Sequence, residues 1–144
     1  MLFLTFTVGN KDFAINSNEI HEILPLVKIH PLPQPSTKFM GYINYRGSLI
    51  PVIDLAVFLG FLPSASKLST RIVIIDFLRE DGDRLLLGVL VENATDLEKF
   101  DEEEINVPQI DVYKHPLVKG IIMQNDRTLY LLSFRSLKTL QLET

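Results

Sequence analysis

With 144 residues, of which 47% are apolar and 22% charged, the chain is large enough for one domain or two small lobes and too apolar to be disordered. It has no cysteine, which excludes disulfides, thiolate metal sites and cysteine nucleophiles. The net charge is -4, and the charges are unevenly distributed: residues 1–75 carry six basic and four acidic side chains, and residues 76–144 carry eight basic and fourteen acidic ones. Such a chain repels phosphate backbones, so nucleic-acid binding is disfavoured.

No signal peptide or membrane span is predicted from the apolar segments. Leu2–Val8 is apolar, but no basic region precedes it and a polar turn follows at once. The longer apolar segment 49–62 is interrupted by Asp54. We therefore expect a cytoplasmic protein.

The first elements are predicted to be a hairpin and a short helix. Leu2–Val8 alternates with a period of two, which predicts a strand, and the turn at Gly9–Asp12 leads to a partner strand at Phe13–Ile15. Asn16–Glu19 resembles a helix capping box, in which Asn16 accepts from an early amide and Glu19 reaches back. The spacing of the apolar residues that follow predicts a helix over 20–24 that Pro25 ends.

A second hairpin is predicted after an extended connector that contains Pro31, Pro33 and Pro35. Gly41–Tyr45 and Ser48–Ile53 flank Arg46-Gly47, where glycine tolerates a reversal of the chain. Asp54 is expected to cap a short helix, Leu55–Leu59, that Gly60 ends. The small, polar segment Ser64–Ser69 is the best candidate for a lobe boundary.

The second half of the chain is predicted to be mainly β. Arg71–Leu78 and Leu85–Val91 flank a turn at 80–83, and seven acids between Glu92 and Glu104 predict a solvated loop or helix face, with a partner-facing or cation-attracting patch as the alternative. Further strands are expected at Ile110–Tyr113, Gly120–Met123 and Thr128–Leu132, with a turn at Asn125–Asp126. Ser133 is expected to cap a closing helix that buries Phe134, Leu137 and Leu140. Roughly nine short strands and three short helices favour small barrels over a layered α/β fold.

The residue types that carry chemistry do not form a recognisable constellation. His21, His30 and His115 are not paired at metal-ligand spacing, so each is interpreted as a surface or core-edge histidine. Ser48 and Ser133 lie on no nucleophile elbow, and the glycines are scattered rather than gathered in a phosphate loop. The consecutive acids of Asp101–Glu104 do not indicate a carboxylate dyad in a dry cleft. The prediction is a protein that is not an enzyme and holds no cofactor or metal.

An ordered series of local motifs, together, resembles the CheW family over nearly the whole chain. Its most specific part is Phe39–Gly47 (FMGYINYRG) followed by Ile50–Leu55 (IPVIDL). The remaining fragments, in the expected order, are Phe3–Ile15, Ile20–Leu24, Leu32-Pro33, Thr70–Ile74, Leu87–Val91, Leu117–Ile121 and Leu129–Ser133. Two departures are Ala56, where many relatives place arginine, and Tyr45, where leucine is commoner.

The resemblance implies a mainly β fold of two small five-stranded SH3-like barrels packed around a shared core, with a few short helices, in a single domain over 1–144. It also implies a non-catalytic adaptor between the cytoplasmic tip of a chemoreceptor and the regulatory domain of a CheA-type histidine kinase. The receptor- or partner-binding residues implied are Arg46, Glu22, Ile20, Leu49 and Tyr42. For Arg46 the alternative is a structural pin that holds the hairpin through Glu22.

Other functions stay open at this point. The same module can serve a non-flagellar pathway that controls surface motility, pili or a second messenger, or it can antagonise kinase coupling. From a different class, a small-molecule-binding β-barrel would need an apolar cavity with convergent polar groups.

Overall fold

The chain folds almost entirely into β-strands. The structure, a computed structural model, describes residues 1–34, 39–78, 82–108 and 115–135. Within these ranges lie one α-helix, α1 (Leu55–Phe58), and 3-10 turns at Ser17–Glu19 and Glu102–Glu104. The strands are β1 (Leu2–Val8), β2 (Lys11–Asn16), β3 (Ile20–Pro25), β4 (His30–Pro31), β5 (Phe39–Tyr45), β6 (Ser48–Asp54), β7 (Arg71–Leu78), β8 (Arg84–Lys99), β9 (Ile105–Asn106), β10 (Val118–Gln124) and β11 (Arg127–Leu132).

The strands form two groups that share the long strand β8. The first half of β8 pairs antiparallel with β7 and parallel with β6, while its second half pairs antiparallel with β1. We call β3–β7 with the first half of β8 the hairpin lobe, and β1, β2, β9–β11 with the second half of β8 the terminal lobe. Each lobe has five principal strands and one strand of two residues.

The core consists of three apolar clusters. One cluster fills each lobe: residues such as Ile43, Ile72 and Ile74 in the hairpin lobe, and Phe3 and Ile122 in the terminal lobe. The largest cluster lies between the lobes and draws on both, including Leu4, Phe6, Phe13, Val73, Ile75 and Val89. Alternate residues of β7 therefore point into two different cores, which is why its sequence is an almost continuous apolar run.

Most of the predicted strands and three predicted hairpins are confirmed. β1 pairs with β2, β5 with β6 and β10 with β11, and the last of these reverses at Asn125-Asp126. Asp54 caps α1 as expected, accepting a hydrogen bond from the Ala56 amide at 3.1 Å. Its carboxylate also accepts from the Ser64 amide at 2.8 Å, which fixes the loop after the helix.

The predicted helix over 20–24 is wrong, because this segment is strand β3. Asn16 does accept from the Asn18 amide at 3.0 Å, but the turn it caps is a single 3-10 turn that ends at Glu19. Glu19 does not reach back; its buried carboxylate accepts from the Phe134 amide at 2.8 Å. Pairing of β3 with β7 satisfies the backbone that a helix would otherwise satisfy internally.

The interpretation of the acidic run as a loop or helix face is also wrong for its first half. Strand β8 continues to Lys99 and pairs with β1 through Leu97 and Glu98. Glu98 accepts from Thr5 Oγ1 at 2.7 Å and from Arg127 Nη1 at 2.6 Å. These contacts, above all the bond from Arg127, hold the pKa of Glu98 below its usual value.

Some predictions cannot be compared with the structure. The strand at Ile110–Tyr113, the turn residues Glu80-Asp81, and Leu137 and Leu140 lie outside the described residues, whereas Phe134 is buried in the cluster between the lobes. The lobe boundary near residues 64–69 stays a prediction. The strands on either side of it, β6 and β7, both pair with the first half of β8.

Candidate functional site

The candidate site begins at the tip of the β5–β6 hairpin. Arg46 and Gly47 form its two-residue turn with φ angles of 51° and 85°, both positive, as in a type I′ turn. The Asn44 side chain accepts a hydrogen bond from the Gly47 amide at 3.1 Å. The turn is therefore fixed locally, and it holds the Arg46 side chain at the outer end of the hairpin.

Arg46 contacts a carboxylate from a different strand. Its Nη2 lies 3.0 Å from Oε1 of Glu22, on β3, and its guanidinium carbon lies 5.2 Å from the centre of the Tyr45 ring. The Tyr45 hydroxyl donates to the same Glu22 oxygen. We call Arg46, Glu22 and Tyr45 the tip cluster. Because 73% of the Arg46 side chain stays exposed, its cationic face is open to a partner.

Tyr45 connects the tip cluster to the core of the hairpin lobe. Its ring is buried in the hairpin-lobe core, and only the hydroxyl reaches Glu22. The hydrogen bond to Glu22, with burial adding to it, raises the pKa of Tyr45, while the nearby charge of Arg46 opposes the shift. The phenol is therefore a protonated donor at neutral pH, and it orients the carboxylate that Arg46 contacts.

A second surface lies on the outer side of the same hairpin. Tyr42 and Leu49 point away from the lobe core, together with Pro51, and the Leu49 side chain is 67% exposed. They line a shallow depression of about 340 Å³ with Leu32, Phe39 and Gly41. We call these six residues the apolar hairpin face.

The backbone of this face is held by close packing of β4 on β5. Tyr42 stacks on His30 with ring centres 5.3 Å apart. A Cβ at Gly41 would lie 2.1 Å from the His30 carbonyl oxygen, so only glycine allows β4 to approach here.

The structure brings together most, but not all, of the residues predicted for the site. Arg46 and Glu22 are in direct contact, and Tyr42 and Leu49 share the apolar hairpin face. Ile20 is half-buried and packs against the cluster between the lobes. Tyr45 was missed as a member of the site; its inward position follows from the alternation of β5, but its bond to Glu22 depends on where β3 lies.

The described residues contain neither a group of metal-ligating side chains nor a helix that could span a membrane. In 1–34, 39–78, 82–108 and 115–135, no three His, Asp or Glu side chains are grouped so that they could hold a metal ion. Over the same ranges, no helix has the length and apolar character needed to cross a membrane.

Comparison with known proteins supplies the family. The model of the CheW-like domain matches residues 2–140. The chain belongs to the CheW-like domain family. It is 27% identical over 136 residues to a probable chemotaxis protein CheW of Rhizobium etli, covering 93% of this chain and 84% of that protein. It is 29% identical over 128 residues to the chemotaxis protein CheW of Bacillus subtilis, covering 88% and 79%.

The fold of this CheW-like domain matches that of a solved relative. The scaffolding protein TtCheW of Thermoanaerobacter tengcongensis superimposes with a TM-score of 0.81 at 24% identity, over 93% of this chain and 84% of that one. The predicted fold class, a mainly β protein of two small SH3-like barrels packed together, is confirmed.

Proposed function

We propose that this CheW-like protein is a non-catalytic, cytoplasmic adaptor that couples chemoreceptors to a CheA-type histidine kinase. The observation that carries the proposal is the match of the CheW-like domain to residues 2–140. The names of the relatives, chemotaxis proteins CheW, point the same way.

Within this function we assign Arg46 and Glu22 to the receptor. Arg46 presents five N–H donors in a planar fork that suits a carboxylate, and its bond to Glu22 leaves most of that fork exposed. An ion pair this exposed contributes about 0–1 kcal/mol to folding. The fold therefore gains little from Arg46, which favours the binding interpretation over the structural pin.

We assign the apolar hairpin face, with Tyr42 and Leu49, to a protein partner as well. An exposed leucine beside a tyrosine and a proline offers apolar area without a buried charge, as interface centres do. Ile20 is half-buried and contributes less surface, so in this proposal it supports β3 beneath Glu22.

The decisive variant is Arg46→Asn. Asn-Gly is a favoured pair for a type I′ turn, so this change removes the guanidinium and keeps the turn. If Arg46 binds the receptor, affinity for the receptor's cytoplasmic tip falls about ten- to hundredfold, the equivalent of roughly 1.5–3 kcal/mol. Affinity for the kinase regulatory domain and the melting temperature stay close to those of the wild type.

Arg84→Ala is the matched control. The Arg84 side chain is also 73% exposed and also pairs with a carboxylate, that of Asp76, but it lies at the start of β8. Its loss should leave receptor affinity unchanged. An Arg46→Asn protein that is stable and binds receptor like the wild type would show that the site is wrongly placed. A wild-type protein that binds neither receptor nor kinase domain would overturn the adaptor function itself.

A further inference from the structure

His115 occupies the junction between the two lobes. It precedes β10 of the terminal lobe, and its ring lies edge-on to Phe58, the last residue of α1, with ring centres 5.4 Å apart. Nε2 lies 3.1 Å from the Phe58 carbonyl oxygen, and Nδ1 lies 3.2 Å from the Leu117 amide nitrogen. Both ring nitrogens thus have backbone partners, one in α1 and one in the turn before β10.

The chemistry of these partners determines where the proton lies. A carbonyl oxygen can only accept, so Nε2 must carry the hydrogen that bonds to Phe58. A backbone amide can only donate, so Nδ1 must be bare to receive the bond from Leu117. The geometry therefore selects the neutral imidazole with its hydrogen on Nε2.

A second proton would break one of these two bonds. It would enter on Nδ1, where the Leu117 N–H already points, and it would place a positive charge in a partly buried position. Burial lowers the pKa of His115, and the bond to the Phe58 carbonyl opposes the shift in part. Among the described residues packed around the ring, α1 carries no ionisable side chain, and in the turn 115–118 His115 alone is ionisable.

The two backbone groups that His115 joins are close to the core between the lobes. Leu117 and Leu55 are fully buried in that core, and Ala56, next to Leu55 in α1, is 5% exposed. The Phe58 carbonyl is one of the helix-end acceptors that α1 cannot satisfy internally. Protonation leaves the Phe58 carbonyl bonded to Nε2 and frees the Leu117 amide, so its effect falls on the turn before β10, next to this core.

We propose that His115 is a pH-sensitive clamp on the turn before β10: the neutral ring, held on α1 by its bond to the Phe58 carbonyl, fastens the Leu117 amide, and protonation releases that amide and loosens the turn while the bond to Phe58 remains. Because the folded state favours the neutral ring, the stability that the clamp provides is present above the ordinary pKa of 6.5 and is lost as the pH falls through the lower pKa of the folded state.

An NMR titration of the wild-type protein tests the clamp directly. With 15N-labelled histidine, His115 should show the Nε2–H tautomer at about pH 8 and should titrate below 6.5. Hydrogen exchange of the Leu117 amide, corrected for the intrinsic effect of pH, should speed up as His115 becomes protonated. An Nδ1–H tautomer, a pKa at or above 6.5, or an unchanged Leu117 amide would each overturn the proposal.

Variants extend the test to the whole protein. His115→Gln keeps a donor for the Phe58 carbonyl but cannot be protonated, so its melting temperature should fall less than that of the wild type between about pH 7.5 and about pH 5.5. His21→Gln, which removes an exposed imidazole, is the matched control, and its melting temperature should fall as much as that of the wild type over this pH range. Equal losses in the wild type and His115→Gln would contradict the clamp. If His115→Gln does not fold, the wild-type titration decides alone.

Discussion

Arg46 has a backbone conformation that is unfavourable for an arginine. A φ of 51° lies in the left-handed region, which costs most residues about 1–2 kcal/mol and which Asn and Gly adopt more easily. The exposed ion pair with Glu22 offsets about 0–1 kcal/mol of this cost. Folding alone would be served better by another residue at this position, which supports the proposed role of Arg46 in binding.

At the scale of single residues, we predict an effect of the Tyr45 hydroxyl on stability. Tyr45→Phe keeps the buried ring and removes the hydroxyl that donates to Glu22. Unfolding by denaturant should show a loss of about 0.5–1.5 kcal/mol, the usual contribution of one hydrogen bond. Tyr42→Phe, at a ring stacked on His30 outside the core, should change stability by less than about 0.5 kcal/mol. If the two variants were equally stable, the Tyr45–Glu22 bond would contribute nothing to the fold.

The residues of the tip cluster differ in how far the sequence could predict them. The turn at Arg46-Gly47 follows from local turn chemistry, because a glycine between two alternating apolar segments favours a hairpin. The contact of Arg46 with Glu22 came from the resemblance to a family, since the two residues are 24 positions apart. Nothing local to Tyr45 shows that its hydroxyl meets β3.

At the scale of single elements, β3 shows why a short apolar pattern misleads. Ile20, Ile23 and Leu24 have helical spacing, but Ile20, Glu22 and Leu24 also fit the alternation of a strand with one face half-buried. A segment of six residues is too short to distinguish the period of a helix from that of a strand. The β-branched isoleucines favour a strand, and the backbone bonds offered by β7 decide the outcome.

The prediction at this scale concerns the hydrogen bonds between Glu19, in the 3-10 turn Ser17–Glu19, and the residues that follow β11. Glu19 is only 5% exposed and accepts from the amides of Phe134, at 2.8 Å, and Arg135, at 3.3 Å. Glu19→Ala leaves the buried Phe134 amide without this acceptor, so the free energy of unfolding should drop by about 1–3 kcal/mol. Glu19→Gln keeps an acceptor oxygen and should lose less. Denaturant unfolding provides the measurement.

Glu103→Ala is the control for these hydrogen bonds, because Glu103 is an exposed carboxylate in the other 3-10 turn. Its removal should leave stability within about 0.5 kcal/mol of the wild type. A Glu19→Ala protein as stable as Glu103→Ala would mean that the carboxylate does not fasten the Phe134 segment.

At the scale of the whole molecule, the chain passes from one lobe to the other and back. The terminal lobe contains β1 and β2 from the start of the chain and β9–β11 from its later part, and the hairpin lobe is formed by the residues between them. In the terminal lobe, the last strand of the chain pairs with an early one: Leu129–Leu132 of β11 lies parallel to Asp12–Ile15 of β2. No local pattern marks pairs so distant in sequence, which is why the hairpin pairs could be predicted and the pairs between distant strands could not.

The last prediction follows from the core that the lobes share. Because the largest apolar cluster draws on both lobes, neither lobe can unfold without exposing it, and we expect one cooperative transition. Ile122→Val, in the cluster inside the terminal lobe, should cost about 0.5–1.5 kcal/mol. If unfolding is cooperative, native-state hydrogen exchange should show the same loss of protection at Ile74 in the hairpin lobe as at Leu129 in the terminal lobe. Leu68→Ala, at a side chain 98% exposed, should alter neither amide. Protection lost at Leu129 but kept at Ile74 would show that the lobes unfold separately.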